Sequence, residues 1–312
     1  MRQTNSNRSK ITRPSLVSFF HGVGGMAKGA ARAGFEDLYA TDMWDTAEKA
    51  FHLNKCEGVF DNKNFFQNDA ENIIKKIFEH SGLKIRYGDI DAVVSGSPCQ
   101  GMSAVNPHRS TYNFKNMLMH RQIRVAGMQG LGAKVAWFEQ VPGFLDRPMR
   151  ALRNEVLAVL ESQTDYYYDL RVLNALHYGA YQSRDRVTII MCRKDVGMPS
   201  FPQPQPIDLT KSSLQAALPY VTAFRYAKNQ TAKTAHDNVI NTMTASGDGL
   251  LVFDGKEWRG INTMERQKLS HLEGYNLDGF SDSDKVRLMG NMVQIPFAEA
   301  IMRHIRAEIL KY

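Results

Sequence analysis

Leu16-Val17-Ser18-Phe19-Phe20-His21-Gly22-Val23-Gly24-Gly25 is the stretch that decides the fold class of this chain. Leu16 to Phe20 is a short apolar run suited to a buried strand. It feeds a glycine-rich turn, and Met26 to Ala33 then reads as a helix ended by Gly34. Glycines at such a turn let a ligand approach the backbone at the helix N-terminus, and a plain tight turn is the competing reading. Leu38 to Thr41 reads as a second strand, and Asp42 at its end lies 20 residues beyond Gly22. An acid there suits ribose hydroxyls. The dinucleotide fingerprint asks for glycine where this chain has Ala27, so a nucleoside-containing cofactor is expected rather than a dinucleotide.

The alternation continues to about Asp195. Asn72 to His80 has helical spacing, and Val135 to Phe138 is a strand. Leu152, Val156, Val159 and Leu160 mark one helix face, and Leu170 to Leu173 and Val187 to Cys192 complete the series. Such alternation predicts a mostly parallel sheet with helices on both faces. Pro199, Pro202, Pro204 and Pro206 then read as a linker. Beyond it, weaker periodicity with more Thr, Asn and Gly suggests a smaller second domain. After Gly290 a helix is expected, with Pro296 near its first turn and Phe297, Ile301, Ile305 and Ile309 on the face that packs back on the large domain. The expected division is a flexible basic tail at 1–13, a main domain at 14–195 plus 286–312, and a small domain at 196–285.

With 312 residues, 43% of them hydrophobic, the chain is long enough for a large core, and no apolar run reaches membrane-spanning length. Met1 to Arg13 has no apolar centre and does not read as a secretory signal. Three scattered cysteines make neither a disulfide framework nor a zinc site, which fits a reducing cytoplasm, and no metal is expected. The net charge of +7 is compatible with a polyanionic partner, and positive charge gathers at Lys115, Arg121 and Arg124.

Three stretches carry chemistry. Ser95-Gly96-Ser97-Pro98-Cys99-Gln100 places a thiol in a loop at a strand's C-terminal end, where open α/β sheets build their sites. A lowered pKa would make Cys99 a strong nucleophile. Phe138-Glu139-Gln140-Val141 puts a carboxylate just past another strand, and a partly buried Glu with a raised pKa can donate a proton. In Gln182-Ser183-Arg184-Asp185-Arg186 two arginines at i and i+2 of an extended segment point the same way, to hold a polar ligand or to pair with surface acids.

These stretches, with Asp42 and Gly290-Asn291-Met292-Val293, occur in one order that resembles the cytosine-C5 DNA methyltransferase family over nearly the whole chain. The resemblance implies a Rossmann-like α/β domain that binds S-adenosylmethionine and a small, mostly β target recognition domain. It implies that Cys99 attacks C6 of a flipped cytosine in duplex DNA while Glu139 holds N3 and the exocyclic amine. Arg186 would contact O2, with Arg184 supporting the site. Phe20, His21, Gly22, Val23, Gly24 and Gly25 would line the cofactor site together with Gly96 and Pro98. Asp42 would take the ribose, Met43 the adenine face and Asp69 the adenine amine. Asn291, Met292 and Val293 would reach the methionine end, although Met43 and Met292 also read as plain core. Gln100, Ser103, Arg109, Lys115 and Arg121 would meet DNA from a mobile loop, and Ser246, Gly247 and Gly249 from a recognition loop.

Two places depart from the family pattern. Gln140 stands where the family has Asn, which puts support of the Pro-Cys loop in question. Lys268 and His271 stand where other charges are expected, so the small domain is braced differently. The resemblance implies a bacterial or viral DNA methyltransferase acting in the cytoplasm, at the nucleoid, and a monomer is expected because flipping one base needs one active site. A tRNA-methylating relative, an idle DNA-binding homologue and a modified cofactor remain as alternatives.

Overall fold

Side chains alternate sides along the buried strands, and this alternation divides the core into two layers. The computed structural model describes residues 13–103, 106, 108–111, 113–247 and 249–312. In chain order the first strands are β1 (Ser15–Phe19), β2 (Glu36–Thr41), β3 (Val59–Asp61), β4 (Ala92–Ser95), β5 (Val135–Gln140), β6 (Tyr166–Asn174), β7 (Gln182–Ser183) and β8 (Asp185–Arg193). The main sheet has the order β3-β2-β1-β4-β5-β8-β6. Its first five members are parallel, whereas β8 runs antiparallel to both neighbours. The expected α/β fold is therefore present, with one reversed strand inside it.

The connections carry α1 (Gly25–Arg32), α2 (Asp45–Leu53), α3 (Ala70–Ser81), α4 (Met117–Ala126) and α5 (Arg150–Glu161). Val17, Phe19, Val93, Ala136 and Phe138 face one side and pack under α3, α4 and α5 through Ile73, Ile77, Ile123, Leu152 and Val156. The Asp69 carboxylate caps α3, and Gly82, at φ 72°, ends it. The predicted helix over 72–80 thus extends by a residue or two each way, as its caps dictate.

A second, four-stranded antiparallel sheet has the order β10-β9-β12-β13, from β9 (Ala223–Tyr226), β10 (Asn229–Thr234), β12 (Leu250–Phe253) and β13 (Trp258–Gly260). The short β11 (Ile240–Asn241) pairs instead with β7, in parallel. With α6 (Leu209–Ser212), α7 (Leu214–Ala217) and α8 (Thr263–Leu269), this unit has its own core of Leu214, Leu218, Phe224, Ile240, Val252 and Leu269. Its independent packing is narrower than the expected 196–285. Phe201 belongs to the core of the main sheet. Leu272, Tyr275, Leu277 and Phe280 pack with Val23, Ala50, Leu288 and Met289.

The chain closes with α9 (Asp282–Asn291) and α10 (Ile295–His304). Phe297, Ile301, Ile305 and Ile309 are buried with Met26 and Ala30 of α1 against Leu16, Val94 and Trp137, on the second face of the sheet. A side chain at Gly29 would meet Ala298 at 2.5 Å, so this glycine sets how closely α1 and α10 approach. Residues 1–12 of the expected basic tail lie outside the described residues; Arg13 is paired with Glu57 at 3.0 Å. No helix among the described residues is long and apolar enough to cross a membrane.

Candidate active site

Cys99 sits in the turn that leaves β4, half-buried beside the end of β5. Glu139 is the penultimate residue of β5, not a residue beyond it, and is 9% exposed. A Cβ at Gly96 would lie 3.3 Å from Glu139 Oε2, so the Cys99 turn passes directly beside the carboxylate. Because β8 is reversed, its first residues stand next to the last residues of β5, with Gln140 opposite Val187 and Glu139 opposite Thr188. Arg186 Nε therefore reaches Glu139 Oε1 at 2.5 Å, and its Nη1 donates to the Asp185 carbonyl at 2.6 Å. Gln140 Nε2 donates to the Ser97 carbonyl and hydroxyl, each at 3.2 Å. The longer side chain thus does support the Pro-Cys turn.

The resting thiol differs from the expected activated one. Burial pushes the Cys99 thiol up and the Glu139 carboxylate adds to this, while Arg186 and Arg184 pull in the other direction. The net shift is upward. Arg184 also differs from expectation. Its buried guanidinium donates to the carbonyls of Met243 at 2.9 Å and of Gly290 and Met292 at 3.0 Å each. It braces three backbone segments, and its pKa is lowered to about 9, first by burial and then by Arg186. Arg184 and Arg186 diverge because Arg184 lies between β7 and β8, outside either regular strand.

At the glycine turn, Gly22 N donates to Asp42 Oδ2 at 2.8 Å and Trp44 N to Oδ1 at 3.0 Å. Burial raises the Asp42 pKa, against these backbone bonds and nearby Arg287. Gly22 has φ +56° with open space where a side chain would be. Met43 is 64% exposed beside it, which excludes the core reading, whereas Met292 and Val293 are buried and Asn291 is exposed. Phe20 packs on Phe65 with ring centroids 4.7 Å apart. Pro98 is half-buried.

Several predicted cofactor residues have roles in packing and capping. The His21 ring is buried edge-on against Phe51 and Phe60, and burial lowers its pKa to about 4. The Val23 side chain lies in the core with Tyr275 and Leu288. A Cβ at Gly25 would meet the Val293 carbonyl at 2.2 Å, so this glycine lets α1 touch the C-terminal segment. Asp69 directs its carboxylate to Asn72 N as a helix cap.

The predicted DNA residues divide similarly. Arg109 pairs with Asp146. Arg121 donates to the carbonyls of Phe65 and Asn68, at 2.7 and 2.5 Å. Both are occupied by the fold because each lies beside acceptors that sequence spacing does not reveal. Lys115 is half-buried on the turn before α4. Gln100 is exposed, and Ser103 N bonds the Cys99 carbonyl at 2.9 Å. Ser246 and Gly247 are exposed, and Gly247 and Gly249 have positive φ, while Asp248 of the same loop lies outside the described residues. A Cβ at Gly290 would meet the backbone of Thr244 and Ala245 at 2.3 Å, so this loop rests on α9.

Other side chains escaped sequence reasoning. Arg287 lies 4.5 Å over the Trp44 ring, beside Asp42. Arg259 grips Glu265 with two nitrogens, and Tyr220 donates to the same carboxylate at 2.8 Å. This network braces the small unit, which the sequence expects to be braced differently from the family; His271 stacks on Tyr181 with ring centroids 4.5 Å apart. Among the described residues, no group of three or more His, Cys, Asp or Glu is arranged to hold a metal.

The family described as C-5 cytosine-specific DNA methylase matches residues 15–249. This chain belongs to that family. Among its relatives, the type II methyltransferase M.XorII of Xanthomonas oryzae is 32% identical over 203 residues, covering 62% of this chain and 44% of that protein. The type II methyltransferase M.FnuDI of Fusobacterium nucleatum is 28% identical over 196 residues, covering 62% and 51%. This chain thus matches about half the length of these relatives. Among solved structures, the Entamoeba histolytica methyltransferase EhMeth has a TM-score of 0.67 at 16% identity, covering 93% of this chain and 97% of its own, which is a likeness of fold.

Proposed function

We propose that the chain is a DNA (cytosine-5)-methyltransferase that modifies a flipped-out cytosine in duplex DNA. The observation that carries this reading is the Glu139–Arg186 pair at 2.5 Å, with the Cys99 turn passing beside it. Cys99 Sγ would add to C6 of the ring. Glu139 would hold N3 and the exocyclic amine, drawing electrons from C6 as the thiol adds. Arg186 orients that carboxylate and would reach O2. C5, made nucleophilic by the addition, would take the methyl group that the bound donor supplies, with the donor's thioether as the leaving group. Loss of the C5 proton and departure of Sγ would then leave 5-methylcytosine. The ring faces are covered in a stacked duplex, so the base must leave the stack.

The glycine turn fits an adenosine-containing methyl donor. Gly22 leaves open space beside a carboxylate fixed by two backbone donors, and Met43 offers an exposed apolar surface next to it. S-adenosylmethionine would be held there by Asp42, Met43 and Phe20, and would supply an electrophilic methyl group. The small unit, with a core spanning about residues 214–269, would carry target recognition on the 244–249 loop. We place the protein in the bacterial cytoplasm as a monomer, because one flipped base needs one active site and the cited relatives are bacterial.

Bisulfite sequencing of unmethylated plasmid after incubation with the protein and S-adenosylmethionine tests this. Protected cytosines within one short motif are expected. Methyl transfer to tRNA but not to plasmid would overturn the DNA assignment. Transfer to neither, with the cofactor bound, would identify an idle homologue.

A further inference from the structure

Phe114 is a large apolar side chain left 68% exposed, and Met117, three residues on, is 51% exposed. Their spacing places them on one side of the turn that leads into α4. Exposure here does not come from a loose loop. Asn113 caps the turn by accepting from Lys115 N at 3.0 Å. Asn116 is buried and donates to the carbonyls of Ser110 and Thr111 at 2.9 Å each. Ser110 N donates to the Gly101 carbonyl at 3.0 Å. A Cβ at Gly101 would meet Asn116 Oδ1 at 2.5 Å and Asn113 Cβ at 2.9 Å. The turn is therefore fixed against Gly101, two positions from Cys99, and it presents an aromatic ring to solvent.

Charge identifies the occupant. Between Asp91 and Glu139 the chain contains no acid at all and five Lys or Arg. Three of these are engaged: Arg109 by Asp146, Arg121 by backbone carbonyls and Lys134 by Asp91. Lys115 and Arg124 have no acid hydrogen-bonded or ion-paired to them among the described residues, and Lys115 lies between Phe114 and Met117 in sequence. An exposed aromatic with a lysine next to it in the chain, on an acid-free stretch, is the chemistry of a polyanion with stacking faces, which is a nucleic acid. Removing a base from a duplex also leaves its neighbours without a stacking partner, and apolar side chains can fill such a gap.

We propose that Phe114 stacks on a base of duplex DNA next to the cytosine presented to Cys99, with Lys115 on the adjoining phosphate. This rests on the methyltransferase reading above. The partner is DNA, and self-association through the same face is an outcome of the test.

Equilibrium binding of the full chain to duplex DNA, measured against salt concentration, tests the assignment. Phe114→Ser is expected to weaken binding roughly tenfold or more. The slope of log affinity against log salt should stay unchanged, because a stacking contact releases no counterions. Lys115→Ala should lower that slope by about one unit. Phe114→Trp should restore affinity, which a merely structural role would not allow. Phe114→Ser binding like the parent chain would overturn the stacking role, as would conversion of a dimer to a monomer by that substitution. If the parent chain itself fails to bind duplex DNA, the function reading fails and not this inference alone.

Discussion

Arg184 donates to the carbonyl of Gly290 at 3.0 Å, a contact that crosses 106 residues of chain. The same guanidinium holds Met292 and Met243, so one side chain ties the proposed cofactor segment to the start of the recognition loop. The three carbonyls are reached from two nitrogens held apart in a rigid plane, whereas an ammonium carries all its donors on one nitrogen and cannot span the same positions. Arg184→Lys is expected to cost about 2–4 kcal/mol of stability, because buried carbonyls lose their donors. It should weaken cofactor binding tenfold or more. Calorimetry and cofactor titration check this. Unchanged stability and cofactor affinity with lost turnover would show instead that Arg184 touches the substrate.

Gly290 permits a second contact at the same junction. Alanine is favoured over glycine within a helix by about 1 kcal/mol. At this position, however, the new Cβ would lie 2.3 Å from the backbone of Thr244 and Ala245. Gly290→Ala should therefore destabilise, by about 1–3 kcal/mol. Thermal unfolding reads the sign directly, and a stabilised variant would mean the 244–249 loop moves aside freely.

Cys99 should be slow to ionise in the free protein, since burial and Glu139 both raise its pKa. An ordinary thiol has a pKa of about 8.5. The rate of Cys99 alkylation, taken as the difference between the parent chain and Cys99→Ser, should still be climbing above about pH 8.5. A plateau below neutral pH would place a stabilised thiolate in the resting site. Turnover should be abolished in Cys99→Ser.

His21 makes stability depend on acid. Its folded pKa is lowered from 6.5 to about 4, so between these values the unfolded chain binds more protons. The associated stability is present above pH 6.5 and is lost as pH falls toward 4, to about 3 kcal/mol. His21→Leu should flatten the loss of melting temperature across that window. His271, also lowered to about 4, and His120 and His304, whose pKa values burial lowers as well, add to the slope. An unchanged slope in His21→Leu would assign the acid sensitivity elsewhere.

How much was legible depends on the range of the interaction. Buried strands and the amphipathic α3 announce themselves through local periodicity, and the order of Cys99, Glu139 and Arg186 marks a site without any geometry. The fates of Arg109 and Arg121 were not legible, because whether a cation faces phosphate or an internal acceptor depends on what folds beside it. Asp146 is 37 residues from Arg109, and Phe65 is 56 from Arg121. The glycines of this turn misled for a related reason: Gly22 opens onto space, while Gly25 exists to admit Val293. The reversal of β8 was equally silent, since an apolar strand reads the same in both directions.

That reversal has a consequence for the growing chain. A nascent chain ending before residue 185 already contains Cys99, Glu139 and the glycine turn, but neither β8 nor the cation that pairs with Glu139. β8 pairs with β6 on one side and with β5 on the other, and only its docking on β5 closes the pair. Until then Glu139 has no Arg186 beside it, so completion of the sheet and assembly of the site are a single event.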